Sequence, residues 1–202
     1  MRTEAAKMTL DDATLVRQCR QGAVWAMERL IVKYQDRIYN TILRICGNPD
    51  DAAELTQDTF VKVLEKINDF GGRSSFYTWL FRIAVNLTLN YCKRRVRLGS
   101  ESLDAQLADG AGTVKNRLRY LIADDKAVDA VKVAQDKELC ELVLKSLDRL
   151  DEDHKAVVVL RDIEGMSYGQ IARVLDIELG TVKSRLSRAR NNLREIIETV
   201  LK

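Results

Sequence analysis

The sequence predicts an all-α protein made of two small helical domains, and three observations carry that prediction. Apolar residues recur at spacings of three and four along most of the chain, the mark of amphipathic helices. Glycines and cap-forming residues punctuate those stripes, while proline occurs only once in 202 residues. From Leu98 to about Lys126 the stripes lapse into small, polar and glycine residues, LGSESLDAQLADGAGTVKN and beyond, which reads as a linker. The expected organisation is therefore a first domain over residues 9–98, a linker over 99–126 and a second domain over 127–202. No segment reads as a strand, and no internal repeat is visible.

In the first domain, Thr9 followed by Asp12 has the form of a helix-starting cap. Leu15, Val16 and Cys19 give a short apolar face that Gly22 interrupts. Met27, Leu30, Ile31, Tyr34, Ile38, Ile42 and Ile45 then mark one long helix from Val24 to Cys46, closed by Gly47. Asn48 caps the next helix, with Pro49 in its first turn and Asp50 and Asp51 where the helix dipole favours acids. It is expected to run to about Lys66. After the loop NDFGGR, Ser74 or Ser75 can cap a fourth helix that places Phe76, Trp79, Leu80, Ile83 and Leu87 on one face. Four helices of this kind make a bundle.

Within the linker a short helix fits around Val114 to Ile122. Leu139, Leu142, Val143, Leu147 and Leu150 restore helical spacing, and another helix is expected from Asp151 to Gly165. Ser167 and Gln170 form an S-x-x-Q capping box ahead of Ile171, Val174 and Leu175. A turn over Asp176 to Gly180 leads into a last helix with Val182, Leu186, Ala189, Leu193 and Ile196 on one stripe. Helix, brief turn and second helix have the length of a helix-turn-helix.

Composition narrows the function classes. With 46% hydrophobic and 31% charged residues the chain can build cores with well-solvated faces, so it is not a disordered polymer. A net charge of +3 is too mild to imply nucleic acid by itself, so placement of charge matters more than its sum. Cys19, Cys46, Cys92 and Cys140 lie far apart and His154 is the single histidine, a pattern that fits reduced core thiols better than a zinc site or a disulfide framework. No metal or cofactor is expected. The N-terminus MRTEAAKMTLDD has no apolar signal segment, and no stretch nears the roughly 18 apolar residues of a membrane span. A soluble, cytoplasmic protein without membrane insertion is the expectation.

Three places could carry chemistry. Between Thr181 and Arg194 lie Lys183, Arg185, Arg188, Arg190 and Arg194 with no acid among them. At about 100 degrees per residue, Ser184, Ser187 and Arg188 fall opposite the apolar stripe, flanked by Lys183 and Arg185. Such a face suits a DNA major groove as well as it suits plain solvent; the capped helix before it favours DNA. A second basic run, Lys93, Arg94, Arg95 and Arg97, comes after an aromatic stretch containing Phe70, Phe76, Tyr77, Trp79 and Phe81. Aromatics beside cations can stack extruded bases and neutralise the backbone of a single strand. Spacing puts Phe76 and Trp79 in the core, whereas the NDFGGR loop, with paired glycines and the polar groups of Asn68, Asp69 and Arg73, is free to approach a ligand. On the helix after Pro49, Ala53, Phe60, Val63, Leu64 and Ile67 mark the inward face and leave Asp51, Glu54, Leu55, Asp58 and Glu65 outside. A leucine among exposed acids suits a protein partner, and a solvated face with one tolerated leucine accounts for it equally.

The segments DAAELTQDTFVKVLEKINDF, FGGRSSFYTWLFRIAVNLTLNYCKRR and LRDIEGMSYGQIARVLDIELGTVKSRLSRARNNL closely resemble regions 2.2, 2.3 to 2.4, and 4 of the extracytoplasmic-function (ECF) sigma factors. Three separate blocks in the family's order are more specific than a lone helix-turn-helix. The resemblance implies a promoter-directing factor controlled by an anti-sigma factor, with RNA polymerase core and promoter DNA as partners. Glu54, Gln57 and Asp58 would contact the clamp helices of the polymerase largest subunit, with Leu55 packing nearby, and the second domain would meet the beta flap. Asn68, Asp69 and Phe70, with Arg73, would capture an unstacked base of the minus-10 element. Arg82, Asn86, Lys93, Arg94 and Arg95 would support the melted strand. Lys183, Ser184, Arg185 and Arg188 would read the minus-35 element, with Thr181 and Arg190 on phosphate. The chain departs from the family where Asp151 and Glu178 stand at positions that often carry proline; Asp151 can still cap and Glu178 still suits a first turn.

Two other functions compete. A DNA-rearranging enzyme needs an organised nucleophile, and Ser74 and Ser75 beside Arg73 are explained more simply by helix capping. A sigma-like decoy that only binds an anti-sigma factor has no need of both basic runs.

Overall fold

The structure is a computed structural model that describes residues 10–101, 142–143 and 145–200. The cap expected at Thr9, the short helix at 114–122 and Leu139 and Cys140 lie outside the described residues, as does nearly all of the expected linker. Every regular element among the described residues is helical, and none of those helices is long and apolar enough to cross a membrane.

Helix α1 spans Asp12–Arg20 and is capped by Asp11, whose carboxylate accepts from the Thr14 amide. Asp12 instead makes tertiary contacts, accepting from Lys33 at 2.6 Å and from the Tyr34 hydroxyl, which fastens α1 to the next helix. Helix α2, Val24–Cys46, buries the expected stripe and stops at Gly47, whose φ of 81° is the left-handed conformation that lacks a steric penalty only in glycine. Helix α3, Pro49–Lys66, starts on the Asn48 cap, which accepts from the Asp50 and Asp51 amides. A 3-10 turn at Ile67–Asp69 ends it. Helix α4 runs from Phe76 to Glu101, continuing three residues past the expected edge of the domain.

The buried face of α4 differs from the expected one. Phe76 and Leu80 are buried, but the stripe continues through Phe81, Ala84, Val85, Leu89 and Cys92, leaving Trp79, Ile83 and Leu87 half-buried at its border. Burial pushes the Cys92 thiol up to about 11, with neighbouring Cys46 adding to the shift, so this sulfur behaves as a small core hydrophobe.

In the second domain residues 142, 143 and 145–148 are helical. Helix α5, Glu152–Val158, is capped by Asp151 as expected, and it passes directly into a π turn at Val159–Ile163. The Glu164 amide donates to the Val159 carbonyl at 2.9 Å, the five-residue step that defines such a turn. Helix α6, Tyr168–Leu175, carries the full capping box: Gln170 N–H to Ser167 Oγ at 3.3 Å and Ser167 N–H to Gln170 Oε1 at 2.9 Å. Asp176 turns the chain at φ 56°, and helix α7 follows over Leu179–Val200 with Val182, Leu186 and Ala189 buried. Helices α6 and α7 are the helix-turn-helix.

The two domains are packed against each other. α4 lies along α6, and α2 meets α5 and the π turn, so that buried residues of both domains form one continuous cluster. Among the described residues four ion pairs cross the boundary: Arg37 with Glu164 at 2.6 Å, Arg44 with Glu164 at 4.0 Å, Arg82 with Asp176 at 3.4 Å and Lys93 with Asp153 at 3.6 Å.

Candidate nucleic-acid and polymerase interfaces

The loop after α3 is held from behind by a residue that the sequence alone does not single out. Arg20, at the end of α1, donates from Nε to the Ile67 carbonyl at 3.1 Å and from Nη2 to the Phe70 carbonyl. Its guanidinium also lies over the Phe70 ring, 6.0 Å from the centroid. Phe70 is half-buried, edge-on to Phe76 at 6.1 Å and tilted against Trp79 at 5.2 Å. Gly72 at φ 69° then turns the chain sharply away.

This rigid aromatic corner separates two clefts. One, of about 370 Å³, is lined by Asp69, Phe70, Gly71, Gly72, Arg73, Ser74, Thr78, Trp79 and Arg82, and Arg173 of α6 closes its far side. The other, of about 470 Å³, faces α1 and is lined by Asn68 together with Arg17, Arg20, Phe70 and both glycines. Asn68 and Asp69 thus look into different clefts, although they are adjacent in sequence. A flat base fits the first cleft chemically, with a ring wall for stacking, an aspartate and an arginine for its polar edge, and cations at the rim. The Ser75 hydroxyl accepts from the Thr78 amide at 3.2 Å, a capping role expected of Ser74 or Ser75.

The cations along α4 are not all free. Arg82 is paired with Asp176, Lys93 with Asp153, and Arg95 with Asp51 at 3.2 Å, while Arg94 is exposed and Asn86 is half-buried. Exposed pairs of this type are worth about 0–1 kcal/mol, so a phosphate can replace the acid at little cost.

On α3, Glu54, Gln57 and Asp58 are exposed, as expected. Leu55 is not: it is only 6% exposed, whereas Ala53 and Leu64, expected inside, are outside. The inward stripe is Ala52, Leu55, Thr59, Phe60 and Val63, with Ile67 just beyond, so that Phe60, Val63 and Ile67 are inside as expected. Thr59 can be buried because its hydroxyl donates to the Leu55 carbonyl at 2.7 Å, which satisfies it within its own helix. Leu55 forms part of a cleft of about 420 Å³ between α3 and the end of α4, with Glu54 and Asp58 at one lip and Arg94 and Arg95 at the other.

On α7, Lys183, Ser184, Ser187 and Arg188 are exposed opposite the buried stripe, as the projection requires. Among the described residues neither Lys183 nor Arg188 has an acidic partner. Arg185 is half-buried and pairs with Asp153 at 3.6 Å. Arg190 is gripped by both carboxylate oxygens of Asp162, one at 3.2 Å, and this hydrogen bonding raises its pKa further. Thr181 is half-buried, and its carbonyl accepts from the Ser184 hydroxyl at 3.1 Å.

Comparison with known proteins shows the family. The family model for sigma-70 region 2 matches residues 30–98, and that for sigma-70 region 4 matches residues 140–193. The chain is 33% identical over 193 residues to the ECF RNA polymerase sigma-E factor of Haemophilus influenzae, covering 95% of this chain and 98% of that protein. It is 28% identical over 197 residues to the sigma-E factor of Escherichia coli K12, covering 96% and 97% of the two chains. In fold it is similar to the sigma factor RpoE of Bartonella quintana, solved with the anti-sigma factor NepR, at a TM-score of 0.62 and 24% identity over 85% of this chain and 96% of that one. It is likewise similar to CnrH, solved with the cytosolic domain of CnrY, at a TM-score of 0.64 and 24% identity over 93% and 97% of the chains. Two sigma domains in sequence order, joined by a near full-length match to a sigma-E factor, place this chain in the ECF group of the sigma-70 family.

Proposed function

We propose that this protein acts in the cytoplasm, without catalysis of its own, by bringing RNA polymerase core to promoters, melting the minus-10 element and reading the minus-35 element. The observation that carries this reading is the pairing of a stacking cleft at Phe70 and Trp79 in one domain with an acid-free cationic helix face in the other. One suits an unstacked base and the other a duplex groove. Residues 9–98 are the minus-10 and polymerase unit and residues 127–202 the minus-35 unit, joined through 99–126. Glu54, Gln57 and Asp58 face the clamp helices, with Leu55 supporting that surface from beneath, and the second domain meets the beta flap. Asp69, Phe70, Arg73 and Arg82 take the base, Asn68 holds the strand from the α1 side, and Asn86, Lys93, Arg94 and Arg95 follow the backbone. Lys183, Ser184 and Arg188 read base edges, while Thr181, Arg185 and Arg190 hold phosphate. An anti-sigma factor that traps both domains is the matching control, supported by the family membership.

Run-off transcription with purified core polymerase and promoters selected from a genomic library tests the reading directly. Asp58→Arg is expected to abolish core binding with native circular dichroism, because Asp58 is exposed and a reversed surface charge costs little stability. Unchanged core affinity in that variant would remove α3 as the polymerase face.

A further inference from the structure

Glu164 is an acid of the second domain whose carboxylate is bonded by side chains of the first. Its side chain is 4% exposed. Oε2 accepts from Arg37 Nε at 2.6 Å and from the Tyr77 hydroxyl at 3.2 Å, Oε1 accepts from the Thr41 hydroxyl at 2.8 Å, and Arg44 stands 4.0 Å away. Arg37 also donates to the Glu164 carbonyl at 3.3 Å and lies over the Tyr77 ring. Arg37, Thr41 and Arg44 are spaced by four and three residues, so one face of α2 presents all three, and α4 supplies Tyr77 from the side. A buried carboxylate is tolerated only with such a complete set of donors. Without the first domain, Glu164 would have to return to water.

Closure has a consequence at the base cleft. Arg173 forms its far wall and Asp176 holds Arg82, so the second domain stands over the opening that a promoter strand must enter. The cross-domain pairs of Arg82 and Lys93 are exposed and exchange easily with phosphate, whereas the Glu164 seat is buried and charge-assisted. Asn40, one helical turn from both Arg37 and Arg44, has a buried Oδ1 with no hydrogen-bond partner.

We propose that Arg37, Thr41, Arg44 and Tyr77 form a carboxylate-binding site on the first domain, that Glu164 occupies it, and that this seat holds the second domain over the base cleft until the domains are drawn apart. The shielding part rests on the reading of that cleft as the minus-10 base site; the carboxylate seat does not. A protein closed in this way binds its promoter strand with an affinity reduced by the fraction of open molecules.

The test uses the full chain, with small-angle X-ray scattering for size and a single-stranded minus-10 oligonucleotide for binding. Glu164→Gln removes the charge from the second domain, and Arg37→Gln removes its strongest partner from the first domain's surface, where the Arg37 side chain is already 51% exposed. Both variants are expected to keep wild-type helicity, to increase in radius of gyration and to bind the oligonucleotide about tenfold more tightly. A wild-type protein that is already extended, or variants as compact as wild type, would overturn the seat. Expansion without gain in affinity would overturn the shielding while leaving the seat standing. Absence of oligonucleotide binding in wild type and both expanded variants would instead defeat the base-cleft reading.

Discussion

The two surfaces assigned to nucleic acid are built on opposite plans. The loop cleft is concave, walled by Phe70 and Trp79, braced from behind by Arg20 and overhung by a residue of the other domain. The α7 face is convex, its proposed readers Lys183, Ser184 and Arg188 exposed on a helix whose back is buried. A base lifted from its stack loses its neighbours and must be given new ones on every side, which takes several elements meeting at a corner. A groove supplies its own walls, so one helix held at the right angle is enough.

That contrast can be broken or sharpened by substitution, beginning with the scaffold. Phe81→Ala removes a ring with no exposure from the core under the cleft and is expected to destabilise the first domain by about 3–5 kcal/mol in urea unfolding. If the second domain's helical signal melts at the same midpoint, the shared core makes one cooperative unit; a separate transition would show two. Phe70→Ala is expected to cost about 1–3 kcal/mol in binding a minus-10 single strand and nothing on a minus-35 duplex. Equal losses on both ligands would erase the division of labour.

On α7, Arg188→Ala is expected to cost about 1–3 kcal/mol at one or two base pairs and to flatten preference there, measured against every single-base variant of the minus-35 duplex at fixed salt. Arg190→Ala is expected to weaken all sequences alike, by about 1 kcal/mol or less, because Asp162 already holds much of that guanidinium. A sequence-dependent loss at Arg190 would mean that Asp162 releases it to a base. The smallest expected effect is that of Ser167→Ala, about 1 kcal/mol of stability from the lost cap of α6, read as a lower thermal midpoint with the duplex preference unchanged.

The convex surface is far more legible in the sequence than the concave one. Ser167 and Gln170 announce α6, and the stripe from Val182 to Ala189 fixes which way Lys183 and Arg188 point, since both depend on spacing within one helix. The cleft depends on contacts between residues far apart in the chain. Nothing local marks Arg20 as the brace of Phe70, 50 positions away, or Asp162 as the partner of Arg190, 28 positions away. The rotated face of α3 has a different cause. A pattern of polar and apolar residues counts threonine as outward, yet Thr59 bonds its own helix and goes inside, taking Leu55 with it. Half-burial of Trp79 has a similar lesson, because its ring is divided between core and cleft.

The π turn at Val159–Ile163 adds a consequence at the level of the gene. A π turn holds one residue more than the α-helical turn it replaces, so it is where a single inserted codon can be absorbed without breaking the helix on either side. Removing one codon there would let the segment rewind as plain α-helix with the chain on either side near its present orientation, whereas removing one from the regular helix of α6 or α7 would turn everything beyond it by about 100 degrees. Glu164, just past the turn, would stay near its partners on α2. Gain or loss of a single amino acid is therefore tolerated at this turn and disruptive inside the helices that follow it.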